Sequence, residues 1–218
     1  FAGYKFDTKV NVKWINSENL TIENYEDELK DCKGIVVPGG FGVRGTDGKI
    51  LAAKYCREHK LPYLGLCLGM QIALIEFANN CLHLEKANST EFDPETPYKI
   101  IDYLPDQYKG IKMGGTMRLG NYECKLALGS KVHELYKTDL IVERHRHRYE
   151  FNNEFKSQFE EKGMVFSGIN PQTNLCEIIE LKDHPFFVAC QFHPEFKSRP
   201  LDPHPLFVGL LEASIKHE

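Results

Sequence analysis

No C-x-x-C pair occurs in the 218 residues, although the chain holds seven cysteines. An odd count without that spacing excludes a ready disulfide framework or zinc site, and Cys190 lies inside the apolar run Val188-Ala189-Cys190-Gln191-Phe192. Reduced cysteines and a cytoplasmic location are therefore expected. The sequence has no uninterrupted stretch of about 18 apolar residues, so no membrane-spanning helix is expected. Phe1-Ala2-Gly3-Tyr4-Lys5-Phe6-Asp7 lacks the pattern of a signal peptide. Basic residues are not in excess: 27 Lys and Arg stand against 31 Asp and Glu, a net charge of −4, which argues against a nucleic-acid or membrane-surface binder. Internal repeats and low-complexity linkers are also missing. What remains, 42% apolar and 27% charged, is the composition of a globular protein, and residues 1–218 read as a single domain.

Short apolar runs alternate with helical patterns through the first part of the chain. Val10–Ile15, Gly34–Val37 and Pro62–Leu66 read as strands; Tyr25–Cys32, Lys49–His59 and Leu68–Ala78 read as helices. Val/Ile-rich strands alternating with helices predict an α/β fold, a mostly parallel central sheet with helices on both faces. From about Tyr98 the pattern turns to β. Strands are predicted at Tyr98–Leu104, Tyr122–Leu128, Leu140–Glu143, Met164–Ile169, Leu175–Leu181 and Phe186–Gln191, forming a smaller antiparallel region. Helices are predicted at Asn153–Glu161 and Leu206–Ile215.

One cysteine stands apart. Cys67 lies in Leu64-Gly65-Leu66-Cys67-Leu68-Gly69-Met70-Gln71, after a predicted strand and before a predicted helix. G-x-C-x-G is the thiol form of a nucleophile elbow: a sharp strand-to-helix turn needs small flanking residues and lifts the middle side chain above the sheet. The helix N-terminus beyond it favours thiolate. The plainer alternative is a buried cysteine between two packing glycines.

A nucleophile needs a base, and the base an orienting group. Among nine histidines, His193 in Gln191-Phe192-His193-Pro194-Glu195 follows a predicted buried strand, where α/β sites collect, and Glu195 can hold its tautomer. Read by itself, H-P-E would suit a cap or a surface turn. The glycine-rich Val37-Pro38-Gly39-Gly40-Phe41-Gly42 also ends a predicted buried strand. Such a loop can turn main-chain N–H groups inward as an oxyanion hole, with the N–H of Leu68 as second donor. A phosphate loop is the rival, but no Gly-Lys-Ser/Thr follows; a simple turn is the plain alternative. His145-x-His147 has no third ligand at matching spacing, so no metal site is expected, and alternating charges over Arg144–Arg148 ordinarily mark a solvated face.

Together G-x-C-x-G-x-Q, the downstream H-P-E and the upstream P-G-G resemble the triad class of glutamine amidotransferases. Pro38-Gly39-Gly40-Phe41-Gly42-Val43-Arg44-Gly45, Asn88-Ser89-Thr90-Glu91-Phe92, Met113-Gly114-Gly115-Thr116-Met117-Arg118-Leu119-Gly120 and Glu143-Arg144-His145-Arg146-His147-Arg148-Tyr149-Glu150 narrow that resemblance to the glutaminase domain of the CTP synthase family. The resemblance implies that Cys67 attacks the amide of L-glutamine, with His193 as acid/base and Glu195 as its partner. It assigns the oxyanion to Gly40 and Leu68, and glutamine contacts to Gly40, Leu68, Gly69, Met70, Gln71, Glu91 and Arg148. A carboxylate at Glu91 suits the substrate ammonium and an Arg fork at Arg148 its carboxylate. Arg44 is implied as a regulatory residue in a lid over which GTP activates. No cofactor is implied for this domain. A complete enzyme of the family would be a homotetramer whose separate synthetase domain uses ATP with Mg to convert UTP to CTP. The family also has a strand before Val10, so this domain is expected to continue N-terminally. A related Cys-His-Glu hydrolase, such as a γ-glutamyl peptide hydrolase, and a catalytically silent assembly module are the other readings.

Overall fold

The structure, a computed structural model, describes residues 1–103 and 117–217. Two short helices, α1 (Ala2–Lys5) and α2 (Tyr25–Leu29), precede the first strand. β1 (Ile35–Val37), β2 (Tyr63–Leu66) and β10 (Phe187–Cys190) are mutually parallel neighbours in the main sheet. The sheet then continues antiparallel through β9 (Cys176–Leu181), β8 (Met164–Ile169), β5 (Arg118–Leu126) and β6 (Leu140–His147). Its seven strands thus run in the order β1-β2-β10-β9-β8-β5-β6. The expected α/β architecture is present, with the antiparallel strands continuing the parallel ones in one sheet. A three-stranded sheet packs beside it, made of β3 (Asn88–Ser89), β4 (Lys99–Tyr103) and β7 (Tyr149–Phe151).

The two sides of the central strands feed two cores, because successive side chains of a strand point to opposite faces. Tyr63, Phe187, Ala189 and Ile179 pack with α3 (Thr46–Glu58) and α4 (Leu68–Asn80), through Ala53, Cys56 and Leu74. Leu64, Leu66, Val188, Cys190 and Ile178 face α5 (Lys131–Tyr136) and α7 (Pro205–Lys216), through Val132 and Leu206. α4 is buried along almost its whole length from Leu68 to Ala78, which is why it reads as uniformly apolar. Tyr63 stacks on Phe187 at 4.4 Å between ring centroids, and each such ring contributes roughly 1.5–3 kcal/mol through burial.

Three expectations need correction. Val10–Ile15 is not a strand: Val10, Val12 and Trp14 are 51%, 65% and 91% exposed. Its apolar alternation allows extended backbone, but among the described residues no neighbouring strand supplies it with a hydrogen-bond ladder. Asn153–Glu161 splits into a 3-10 turn, Asn153–Phe155, and α6 (Lys156–Glu161), because the Asn152 side chain caps the turn at the Glu154 N–H. The strand predicted at Leu140–Glu143 runs on as β6 to His147, with Arg144 and Arg146 on its exposed face and His145 and His147 on its buried one. Leu104, the end of one predicted strand, and Met113–Thr116 lie outside the described residues.

His184 tests the core on the α3 side. Its Nδ1 accepts from the Phe186 N–H, and its Nε2 lies 2.9 Å from the Cys56 carbonyl, an arrangement only the neutral ring satisfies. Burial lowers it from the ordinary 6.5 to about 4. Between those values the unfolded chain takes up the proton and the folded one does not, so acidification removes stability. Relative to His184→Gln, the native protein should lose about 2 kcal/mol more stability between pH 7 and pH 5. Urea unfolding at the two pH values measures this, and equal losses would refute the neutral buried ring.

Candidate active site

At the end of β2 the chain reverses within one residue. Cys67 holds φ 51° and ψ −102°, a strained left-handed backbone for a residue with a side chain, and α4 begins at the next position. The turn closes because two glycines let three elements meet. A Cβ on Gly69 would lie 2.1 Å from the Val37 carbonyl oxygen of β1. One on Gly65 would lie 2.7 Å from the Gly69 carbonyl and 2.9 Å from the Ala189 Cβ of β10. The parallel register sets Leu66 opposite Cys190, and the Cys67 N–H donates to the Cys190 carbonyl at 2.7 Å. The strand leading to Cys67 and the strand leading to His193 are thereby locked side by side.

His193 Nδ1 lies 2.7 Å from Glu195 Oε1. A carboxylate there takes the Nδ1–H, leaving the buried Nε2 as a base without a hydrogen-bond partner among the described residues. The ring stacks on Phe196 at 5.0 Å, and the His193 N–H donates to the Arg144 carbonyl, which fixes both faces of the turn. His193 and Cys67 converge on Gly39: a Cβ at that glycine would be 2.9 Å from His193 Cε1 and 3.5 Å from Cys67 Cβ. Gly40 packs against Leu68, where an added Cβ would lie 3.1 Å from Cδ2. Gly69, Met70 and Gln71 form the buried first turn of α4.

Burial pushes the Cys67 thiol up to about 12, the Leu68 N–H pulls it down, and the Glu195, Glu150 and Glu91 carboxylates push it up again. The resting group is thus a thiol, contrary to the expectation from the helix N-terminus alone. Desolvation of a residue only 2% exposed outweighs the main-chain N–H of Leu68 directed at it. A thiolate at this position would have to be made by proton transfer rather than stand ready at rest.

Glu91 accepts from the Gly42 N–H at 2.8 Å, tying the glycine-rich loop to the segment after β3. Arg148 is half-buried between β6 and β7. Tyr149 connects the two: Glu91 raises its phenol and Arg148 opposes that shift, with burial the largest cause of the rise. Arg44 lies apart, its side chain 82% exposed and paired with Glu18 at 2.7 Å. Arg146 sits over the Phe41 ring at 5.8 Å and steadies the other side of the same loop.

Behind these residues lies a buried polar cluster that the sequence did not reveal. Arg118 reaches Glu177 at 2.6 Å and Glu150 at 3.3 Å, and His145 Nδ1 is 2.9 Å from His147 Nε2. Burial, then the neighbouring ring and Arg118, hold His145 far below the ordinary histidine range, while burial and Arg118 lower His147 to about 3. Both imidazoles are therefore neutral; burial also raises the Glu150 carboxyl well above the ordinary range and Glu177 to about 7, and Arg118 opposes both rises. Among the described residues no group of three or more His, Cys, Asp or Glu side chains is arranged to hold a metal ion. No described helix is long and apolar enough to cross a membrane.

A strained cysteine at a strand–helix elbow, a histidine oriented by a carboxylate and a glycine-rich loop beside both are the parts that a cysteine-dependent acyl-transfer site requires. The model of the family "Glutamine amidotransferase class-I" matches residues 2–213, and the chain belongs to that family. Its branch is that of the CTP synthases and their glutaminase domain. The chain is 59% identical to the CTP synthase of Bacillus subtilis over 99% of its length, and 57% identical to that of Caldanaerobacter subterraneus subsp. tengcongensis over 98%. It spans about 40% of the length of these relatives. The glutaminase domain of Trypanosoma brucei CTPS with bound acivicin superposes with a TM-score of 0.93 at 34% identity, covering 100% of this chain and 85% of that one. A glutamine amido transferase from Methylobacillus flagellatus, 12% identical with a TM-score of 0.57 over 89% of this chain and 63% of that one, shares the fold.

The sequence motif includes Gly39 but does not show its function, which is to leave room for the histidine. Gly39→Ala should lower kcat/KM for glutamine about 100-fold by displacing the His193 ring. Steady-state assay checks this, and an unaltered kcat/KM would show that the ring has space.

Proposed function

We propose that this chain hydrolyses L-glutamine to glutamate and ammonia through a thioester on Cys67. The observation that carries the reading is the convergence of the strained Cys67 and the Glu195-oriented His193 on Gly39. His193 Nε2 takes the thiol proton as the sulfur attacks the side-chain carbonyl carbon of glutamine. The tetrahedral oxyanion is held by the N–H groups of Leu68 and Gly40. Collapse breaks the C–N bond, and His193 returns the proton to the departing ammonia. Water, deprotonated by His193, then attacks the γ-glutamyl thioester, releasing glutamate and restoring the thiol. Each turnover consumes one glutamine and one water. Glu91 and Arg148 hold the substrate ammonium and α-carboxylate, with Met70, Gly69 and Gln71 lining the first turn behind the scissile amide.

The family and the length of its members support a further step. In the longer protein the ammonia would pass to a synthetase domain that aminates UTP to CTP with ATP and Mg, in a tetramer. Arg44, on the exposed rim of the glycine-rich loop, would take part in activation by GTP.

Cys67→Ala should abolish ammonia release while leaving the unfolding midpoint within a few degrees of native. The diazoketone analogue of glutamine should label Cys67 ahead of the other six cysteines, read by peptide mass spectrometry. Retained turnover, or uniform labelling, would defeat the thioester mechanism. Arg148→Ala should raise KM for glutamine by about 10- to 100-fold through loss of a charge-assisted carboxylate contact. Initial rates across glutamine concentration decide it, and an unchanged KM removes Arg148 from the substrate site.

A further inference from the structure

Gln191 is fully buried, two residues before the catalytic histidine, and its Nε2 lies 3.7 Å from Cys67 Sγ. A side-chain amide can face sulfur with either its N–H₂ or its oxygen, and the two ends have opposite effects on a thiolate. Here the choice is dictated from outside. The main-chain carbonyl of Tyr149 accepts only, so the group facing it at 3.1 Å must be the Nε2 of Gln71. That nitrogen also contacts Gln191 Oε1 at 3.2 Å, and the two bonds use both of its hydrogens. Reversing Gln191 would set one N–H₂ against another. The chain of bonds Tyr149, Gln71, Gln191 therefore fixes an N–H donor on the sulfur.

We propose that Gln191 is a further catalytic residue, whose amide N–H stabilises the Cys67 thiolate as His193 removes its proton. This rests on Cys67 being the nucleophile. The sulfur needs such help. Apart from His193, the ionisable groups facing it are Glu195 beyond β10, Glu150 on β7, Glu91 after β3, and the Cys190 thiol of β10, none of which favours a negative sulfur. Among the described residues Leu68 provides the other donor directed at the sulfur, and in the reaction that N–H is shared with the oxyanion. An amide fixed by Gln71 leaves Leu68 to follow the charge as it moves from sulfur to oxygen. The relay is also anchored at Tyr149, the first residue of β7, next in the chain to Arg148.

Gln191→Met keeps the length and removes the donor. The test is the rate at which iodoacetamide alkylates Cys67 between pH 6.5 and 9, followed on the Cys67 peptide, with thermal unfolding confirming a folded variant. Loss of a hydrogen bond to the charged sulfur should slow alkylation about tenfold at each pH. A role in packing alone predicts the opposite sign, because loosening the site exposes a buried thiol and speeds alkylation. An equal or faster rate overturns the proposal. If Gln191→Met does not fold, Gln71→Met decides: freeing the Gln191 amide should slow alkylation in the same direction, and an equal or faster rate again overturns it. Alkylation requires no glutamine, so failure here is separate from an absence of glutaminase turnover.

Discussion

The lack of room at Gly69, where a methyl group would lie 2.1 Å from the Val37 carbonyl oxygen, is the constraint on which the site depends. Helix α4 must start against the end of β1, and it can do so only if its second residue has no side chain. Gly65 meets the same demand from β2, against Gly69 on one side and Ala189 on the other. With both glycines in place, the one residue that can absorb the reversal is Cys67, which takes the strained φ 51°. Strain at such a position costs on the order of 1–3 kcal/mol and persists only where surrounding packing over-determines it. The buried length of α4 and the parallel β1-β2-β10 ladder supply that packing.

From this elbow the remaining geometry follows. The Cys67 N–H is held by the Cys190 carbonyl, so β10 ends beside Cys67, and Gln191, the next residue, brings its amide to 3.7 Å from the sulfur. The glycine-rich loop comes up against both Cys67 and His193 because Gly39 has no side chain to collide with the imidazole. Glu91 and Arg146 hold that loop from two different segments, through Gly42 and Phe41. The cost of this enclosure is electrostatic. Burial that excludes water also disfavours the thiolate, so the charge the proposed mechanism needs on sulfur is not held at rest.

The local signals were readable where they depended on neighbours in sequence. The elbow, the helix from Leu68 and the H-P-E turn are each short-range patterns, and their residues lie in the structure at a strand–helix reversal and a strand end. Val10–Ile15 misled because alternation specifies an extended backbone but not a partner. Alternating charges over Arg144–Arg148 marked the exposed face, but period-2 alternation does not say what the covered face meets, and here that face carries His145 and His147 against Glu177 and Arg118. That cluster joins residues from β5, β6, β7 and β9, and no spacing along the chain announces it.

By itself the sequence determined which residues could do chemistry, since a thiol between two glycines, a histidine near a carboxylate and consecutive glycines are properties of composition and short spacing. It also determined, by its likeness to a family, what that chemistry would act on. Only the tertiary structure decided that Cys67 rests as a thiol, that Gly39 makes room for His193, and that a Tyr149 carbonyl aims the Gln191 amide. Each of these depends on desolvation or on contacts between segments far apart in the chain, and those energies exist only once the segments are packed.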